Sequence, residues 1–215
     1  SPAPFDGMCA IGHLLVMSFR ILFKVTYDGS HFFGWQRQTK FSPTVQELLE
    51  DRLSKIFNKK IRVIGSGRTD RGAHALAQWA HADVPRDPSE LNLTYRLNRL
   101  TPDHLRVNAV YLAPANLHAQ RSARKKKYIY KVFNAPYADP HKLHYYHHVK
   151  KPLNLELLNK LASYVVGQHD FSSFQSQGTD VESPVRTVFK AYWVQNGPIF
   201  TFHISKPEDW IMFGM

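Results

Sequence analysis

A chain of 215 residues with 43% hydrophobic content can bury a sizeable core, as one large or two small domains. Its single cysteine, Cys9, excludes a disulfide framework and a thiolate metal site, and no apolar run is long enough to span a bilayer. Lys and Arg number 28 against 17 acids, a net charge of +11, so the partner to expect is polyanionic and nucleic acid leads. An anionic membrane surface is the alternative, but no basic amphipathic helix supports it.

In chain order, residues 1–18 are a leader of no clear role. Ile11 to Met17 is apolar but short and has no basic run before it, against a signal peptide, and Met17 is a candidate natural start. The protein reads as soluble and intracellular. Ile21, Phe23, Val25 and Tyr27 alternate with Leu22, Lys24 and Thr26, a strand with one buried face. Asp28-Gly29 ends it, and an aromatic-rich connection from His31 to Gln38 follows. Thr44-Val45-Gln46-Glu47 has the form of a capping box, opening a helix with Val45, Leu48, Leu49, Leu53, Ile56 and Phe57 on one face. Strands are expected at 61–64 and 73–84, a helix over Ser89 to Leu100 stopped before Pro102, and a strand through Leu105, Val107, Ala109 and Tyr111.

The order β-α-β-β-α-β is that of the ferredoxin-like unit. A second half, 113–205, starts the same way: a strand from Lys126 to Asn134, then a Pro- and His-rich connection from Ala135 to Pro152. A helix with Leu157, Leu158, Leu161, Tyr164 and Val165 on one face is expected to end at Gly167. Strands at Val185–Gln195 and Pro198–Ser205 meet at Asn196-Gly197, a strong hairpin signal. The fold class is therefore α+β: two ferredoxin-like halves, 19–112 and 113–205, forming a mostly antiparallel sheet with helices on one side. By that symmetry a final helix and strand are expected and do not follow, which leaves apolar sheet surface uncovered unless a partner or the tail covers it, and 206–215 is an unmatched tail.

The chemistry concentrates at Gly65-Ser66-Gly67-Arg68-Thr69-Asp70-Arg71-Gly72. Three glycines around Arg-Thr-Asp make a tight strand-to-strand loop that brings backbone close to whatever binds there. Asp70 stands between Arg68 and Arg71, an arrangement suited to a nucleophile or base acting on a polyanion. Taken locally, a glycine-rich hairpin with a surface ion pair explains the same residues. His141, His144, His147 and His148 lack an accompanying carboxylate or cysteine, so no metal site is assigned to them. Phe171 and Phe174 read as core.

Gly67-Arg68-Thr69-Asp70-x-Gly72-x-His74 resembles the catalytic loop of the TruA family of tRNA pseudouridine synthases. Tyr27-Asp28-Gly29-Ser30, Phe33-Gly34-Trp35-Gln36-Arg37-Gln38 and Thr44-Val45-Gln46-Glu47 resemble successive signatures of that family, in family order. So do Leu97 to Asp103, Lys127-Tyr128-Ile129-Tyr130 and His169 to Phe174. The resemblance runs from about Phe19 to about Ile204. It implies isomerisation of uridine to pseudouridine in the tRNA anticodon arm, by a homodimer that needs no cofactor and no metal.

By the same resemblance Asp70 is the essential carboxylate, Arg68 enters the base stack where the target uridine leaves it, and Tyr128 is the active-site tyrosine. RNA contacts are expected from Arg37, Arg71, Arg121, Arg124, Lys125, Lys126 and Lys127. Two departures stand out. His118-Ala119-Gln120-Arg121 replaces the family's usual His-Ala-Arg-Phe, and no residue matches the family's C-terminal helix with its functional arginine. The alternative reading is an RNA-binding protein of the same fold with weak or no catalysis.

Overall fold

The architecture is that of a computed structural model, described for residues 18–124, 126–174 and 183–205. Leader, tail and Lys125 lie outside the described residues. The first half is built on β1 (Phe19–Tyr27), whose Ile21, Phe23, Val25 and Tyr27 are buried while the residues between them are partly exposed. The period-2 pattern thus selects one buried sheet face. β2 (Val63–Gly65), β3 (Ala75–Val84) and β4 (Leu105–Ala113) complete an antiparallel sheet in the order β2-β3-β1-β4.

Two helices cover the buried face. In α1 (Val45–Phe57), Val45, Leu49, Leu53 and Phe57 join the core, with Leu48 and Ile56 packed against it. Thr44 caps the helix by accepting from the Glu47 N–H at 3.3 Å. The capping box is only half formed, because the Glu47 carboxylate takes the Ser42 hydroxyl instead of returning to Thr44. The helix expected from Ser89 is broken. Ser89–Leu91 is a single 3-10 turn, Asn92 adopts φ +39°, and α2 runs Leu93–Leu100. Asparagine tolerates the left-handed region and its side chain caps the Tyr95 N–H, so one residue both ends the turn and starts the helix.

The second half differs more from expectation. β5 (Lys127–Asn134), β6 (His147–Val149), β9 (Lys190–Asn196) and β10 (Ile199–Ser205) form a separate mixed sheet in the order β6-β5-β10-β9, with β5 and β6 parallel. The described strands therefore make two four-stranded sheets rather than one, plus a third pair. The expected strand 185–195 is split. β8 (Val185–Val188) pairs with β7 (Gly167–Asp170), whereas β9 pairs with β10, and the Phe189 N–H at the break bonds Ser205. The hairpin at Asn196-Gly197 forms, with Gly197 at φ +56°.

Helix α3 (Leu155–Ser163) does not bury the expected stripe. Leu157, Leu161 and Tyr164 are more than half exposed, and Ala162 is the buried contact. Asn159 fixes the helix on β9 instead: its Oδ1 accepts from the Trp193 N–H at 2.8 Å, and its Nδ2 donates to the Trp193 carbonyl at 3.1 Å. A side-chain amide that imitates a strand edge decides the packing here, and a hydrophobic count does not reveal it. Gly167 starts β7 rather than capping the helix. Phe171 is half-buried, but Phe174 is 84% exposed and is not core.

The connection between the halves crosses the outer face of the first sheet. Arg20 pairs bidentately with Asp83 and donates to the Leu117 carbonyl at 2.8 Å and that of Ala115. His81, 2% exposed, accepts from the Ala119 N–H at 3.1 Å. No helix among the described residues is long and apolar enough to cross a membrane.

Leu49→Ala should destabilise the fold by about 2–5 kcal/mol, the usual cost of a cavity in a closed core. Leu161→Ala should change it by less than about 0.5 kcal/mol, as an exposed site does. Denaturant unfolding of the two variants checks the assignment of α3's free face.

Candidate active site

The Gly65–His74 loop joins β2 to β3 and is held from below by the 27–36 segment. The Trp35 N–H donates to the Thr69 carbonyl at 3.0 Å, and the Tyr27 hydroxyl meets Thr69 Oγ1 at 2.9 Å. Burial pushes the Tyr27 phenol up to about 12, so it keeps its proton for that contact. Gln78, fully buried, donates to the Gly67 carbonyl at 2.6 Å. At Gly34, φ +91°, a Cβ would meet the Thr69 carbonyl oxygen at 2.7 Å; at Gly65 it would meet the Trp35 indole at 2.5 Å. Those two glycines let the loop backbone lie directly on its platform.

Above the platform, Arg68, Asp70 and Arg71 are exposed. They line a hollow of about 320 Å³ with Phe33, Gln36, Gln38, Phe41 and Thr69. Phe33 and Phe41 stack at 5.5 Å, and the Arg71 guanidinium lies 4.5 Å over the Phe33 ring. The Asp70 carboxylate carries no hydrogen bond or ion pair among the described residues, so the Arg68–Asp70 salt bridge of the local reading is not formed. Within the aromatic connection, Phe32 and Trp35 are buried beneath the loop, and Phe33 faces the hollow.

The other expected site residues are placed elsewhere. Tyr128 sits on β5 in the second sheet, opposite Ile204, and does not line this hollow. Burial pushes its phenol up. Arg37 is committed to α1: its guanidinium lies 3.1 Å from Glu50, 3.6 Å from Glu47 and 3.6 Å from Asp51. Three carboxylates leave it little charge to offer a phosphate. Arg121 is exposed on the connection before β5, and Lys127 begins that strand; neither makes an ion pair among the described residues. Arg124 and Lys126 lie in the same run and each has a partner. Lys125 lies outside the described residues.

A contact between the halves went unforeseen. The Tyr145 hydroxyl donates to the Asp28 carboxylate, the Tyr145 ring stacks on His74 at 4.9 Å, and His74 Nε2 donates to the His144 carbonyl at 2.8 Å. Burial acts to raise Asp28, but hydrogen bonds from Ser30 and Tyr145 and the nearby His74 bring it down to about 2. His74 Nδ1 is 3.1 Å from the Gly29 N–H and 3.0 Å from Asp28 Oδ1. A neutral ring accepts from Gly29, whereas a protonated ring donates to Asp28; one nitrogen cannot do both. Asp28 and His74 were visible as motif residues, but nothing in the sequence points to Tyr145, 117 residues further on.

A family model described as tRNA pseudouridine synthase matches residues 24–120 and 161–206. The intervening stretch, with Tyr128 and the basic run, falls outside that match. The chain is 39% identical over 186 residues to tRNA pseudouridine synthase A of Bdellovibrio bacteriovorus, which covers 85% of this chain and 71% of the relative. The Limosilactobacillus reuteri protein of the same name is 39% identical over 189 residues, covering 84% and 73%. That of a Thermoanaerobacter species is 37% identical over 169 residues, covering 79% and 69%.

Two outcomes check the platform. Gly72 has φ +80° but open space around it, so Gly72→Ala should cost about 1–2 kcal/mol from conformation alone. Gly34→Ala adds a clash with the Thr69 carbonyl and should cost more, read by thermal unfolding. Burial, with the charges of Arg20 and His118, holds His81 at about 4 against 6.5 for a free imidazole. Its contribution to stability is therefore complete above about pH 6.5 and lost as the pH falls towards 4. Urea unfolding at pH 7 and pH 5 should show a larger loss for the parent chain than for His81→Gln, which cannot titrate.

Proposed function

The chain belongs to the TruA family of tRNA pseudouridine synthases, and we propose that Asp70 is its essential carboxylate, acting on uridines of the tRNA anticodon arm. The activity is an isomerisation: the uracil N1–C1′ bond breaks, the base turns, and C5 bonds to C1′. C5 gives up a proton and N1 gains one, so no redox partner is required. One observation carries the role of Asp70. It is a carboxylate free of hydrogen bonds, in a hollow walled by aromatic rings and two guanidinium groups. Such a group is available either to attack the ribose or base, or to take a ribose proton and give a glycal.

Arg68, exposed and without an ion pair, takes the place of the extruded uridine in the stack through its planar guanidinium. The rings of Phe33 and Phe41 offer the flipped base an apolar wall. Tyr128, on β5 outside this hollow, is the active-site tyrosine by resemblance, and its phenol, pushed up by burial, keeps its proton near neutral pH. By the resemblance, Arg71, Arg121, Arg124, Lys125, Lys126 and Lys127 supply phosphate contacts; Arg37 is left out because three carboxylates surround it. The β1-α1-β2-β3-α2-β4 order supports reading the first half as ferredoxin-like, with the second half a variant of it. A homodimer clamping one tRNA within the cell completes the proposal.

With tRNA labelled with tritium at uridine C5, Asp70→Asn should lower tritium release by at least about 10²-fold while tRNA binding persists. Full turnover in that variant overturns the role of Asp70. A parent chain that binds tRNA but releases no tritium favours the RNA-binding reading instead.

A further inference from the structure

The His-rich connection between β5 and β6 reaches back to the loop that carries Asp70. Tyr145, on this connection, donates its hydroxyl to Asp28 and stacks its ring on His74 at 4.9 Å. It lies in none of the signatures given above and in the stretch that the family model leaves unmatched. We propose that Tyr145 is a positioning residue: through Asp28 and His74 it holds the strand bearing Tyr128 in register with the loop bearing Asp70. The proposal rests on the function given above, which makes Asp70 the reacting carboxylate.

Both partners of Tyr145 bear on the descending limb of the loop, Gly72 to His74. Asp28 precedes Gly29, whose backbone lies so close to that limb that a Cβ would meet the Ala73 carbonyl oxygen at 2.0 Å. The Ala73 N–H in turn donates to the Asp70 carbonyl at 3.1 Å. His74 is the next residue along, with Nδ1 3.1 Å from the Gly29 nitrogen and 3.0 Å from Asp28 Oδ1. A displacement of Asp28 therefore reaches Asp70 through two backbone contacts. The bonds from Trp35 and Tyr27 fix the loop at Thr69, before Asp70, and this clamp fixes it after.

Tyr145 is fixed from its own side as well. The N–H groups of Tyr145 and Tyr146 both donate to the Lys142 carbonyl at 3.0 Å, and the Lys142 N–H donates to that of Asp139 at 2.9 Å. Lys142 pairs with Asp139 and lies 5.0 Å from the centre of the Phe133 ring, while Lys131 lies 5.4 Å from that of Tyr146. Phe133 and Lys131 belong to β5, the strand of Tyr128. The turns that present Tyr145 are thus anchored on that strand. His74 Nε2 adds a second tie by donating to the His144 carbonyl at 2.8 Å. The bond to Asp28 pushes the Tyr145 phenol up, so its hydroxyl stays a donor at neutral pH, and a phenol on a carboxylate is a strong, directional contact.

Tyr145 is 44% exposed, so Tyr145→Phe, which keeps the ring and removes only the hydroxyl, should fold as the parent does, as thermal unfolding verifies. In single turnover with saturating protein, its tritium release from C5-labelled tRNA should fall about 10-fold or more. The Kd for tRNA in filter binding should stay within about twofold of the parent's, because the contact orders the loop and does not touch RNA. Hydrogen exchange at the Ala73 amide should quicken by about 10-fold while the β1 amides stay protected. An unchanged rate, or unchanged exchange at Ala73, overturns the proposal. Turnover lost together with tRNA affinity makes Tyr145 an RNA contact and overturns it too. A parent chain that releases no tritium defeats the catalytic reading alone, and exchange at Ala73 in Tyr145→Phe then decides whether the clamp holds the loop.

Discussion

The approach of the Gly34 backbone to the Thr69–Asp70 peptide is the constraint from which the site follows. The loop lies so close to its platform that a single methyl group at Gly34 would meet the Thr69 carbonyl. That proximity lets the Trp35 N–H and the Tyr27 hydroxyl both reach Thr69, and two hydrogen bonds to one residue fix the next. Asp70 is thereby held through its backbone, and its side chain is left unencumbered. An active carboxylate restrained through its own oxygens would be held just as firmly, but it would have to break those bonds in order to react. Here order and availability are separated, one assigned to the main chain and the other to the side chain.

The platform is itself tied to the core by a polar network. Glu50 accepts from the Val63 N–H at 3.0 Å and from Arg37 at 3.1 Å, and Gln46 joins Val63 to the Arg37 backbone. Helix α1, strand β2 and the aromatic connection therefore share one buried set of hydrogen bonds. Buried carboxylates are costly unless fully partnered, and Glu50 is partnered by backbone, amide and guanidinium together. Arg37 belongs to this framework. A motif arginine beside such a loop invites assignment to phosphate, yet this one lies among the carboxylates of Glu47, Glu50 and Asp51.

Much of the first half is legible in the sequence because each signal there is strong and local. The alternation in β1, the Thr44 cap and the spacing of Leu49, Leu53 and Phe57 all concern neighbours within two turns or one strand. The loop bearing Arg68 and Asp70 is legible for the same reason, its glycines being demanded by backbone geometry. Three of the departures have a common cause. Asn92 interrupts a helix by capping the next one, Asn159 replaces an apolar stripe as the anchor of α3, and Tyr145 reaches Asp28 across 117 residues. In each, a side-chain hydrogen bond decides the outcome, and its pairing with a backbone group or a distant residue is not marked in the sequence.

Net charge is a poor locator of an RNA surface by comparison with pairing. A chain at +11 attracts polyanions, but arginines that look alike in sequence divide sharply in the structure. Arg20, Arg37 and Arg106 have carboxylates within salt-bridge distance; Arg62 and Arg68, on the walls of adjoining hollows, have none among the described residues. An exposed ion pair contributes little to stability, so matched arginines are inexpensive and common. An unmatched guanidinium facing a concavity stays hydrated until an anion displaces that water, and its full charge is then available to the anion. Asp70 stands beside Arg68 and Arg71 without an ion pair to either among the described residues, so carboxylate and cations alike face the hollow uncommitted.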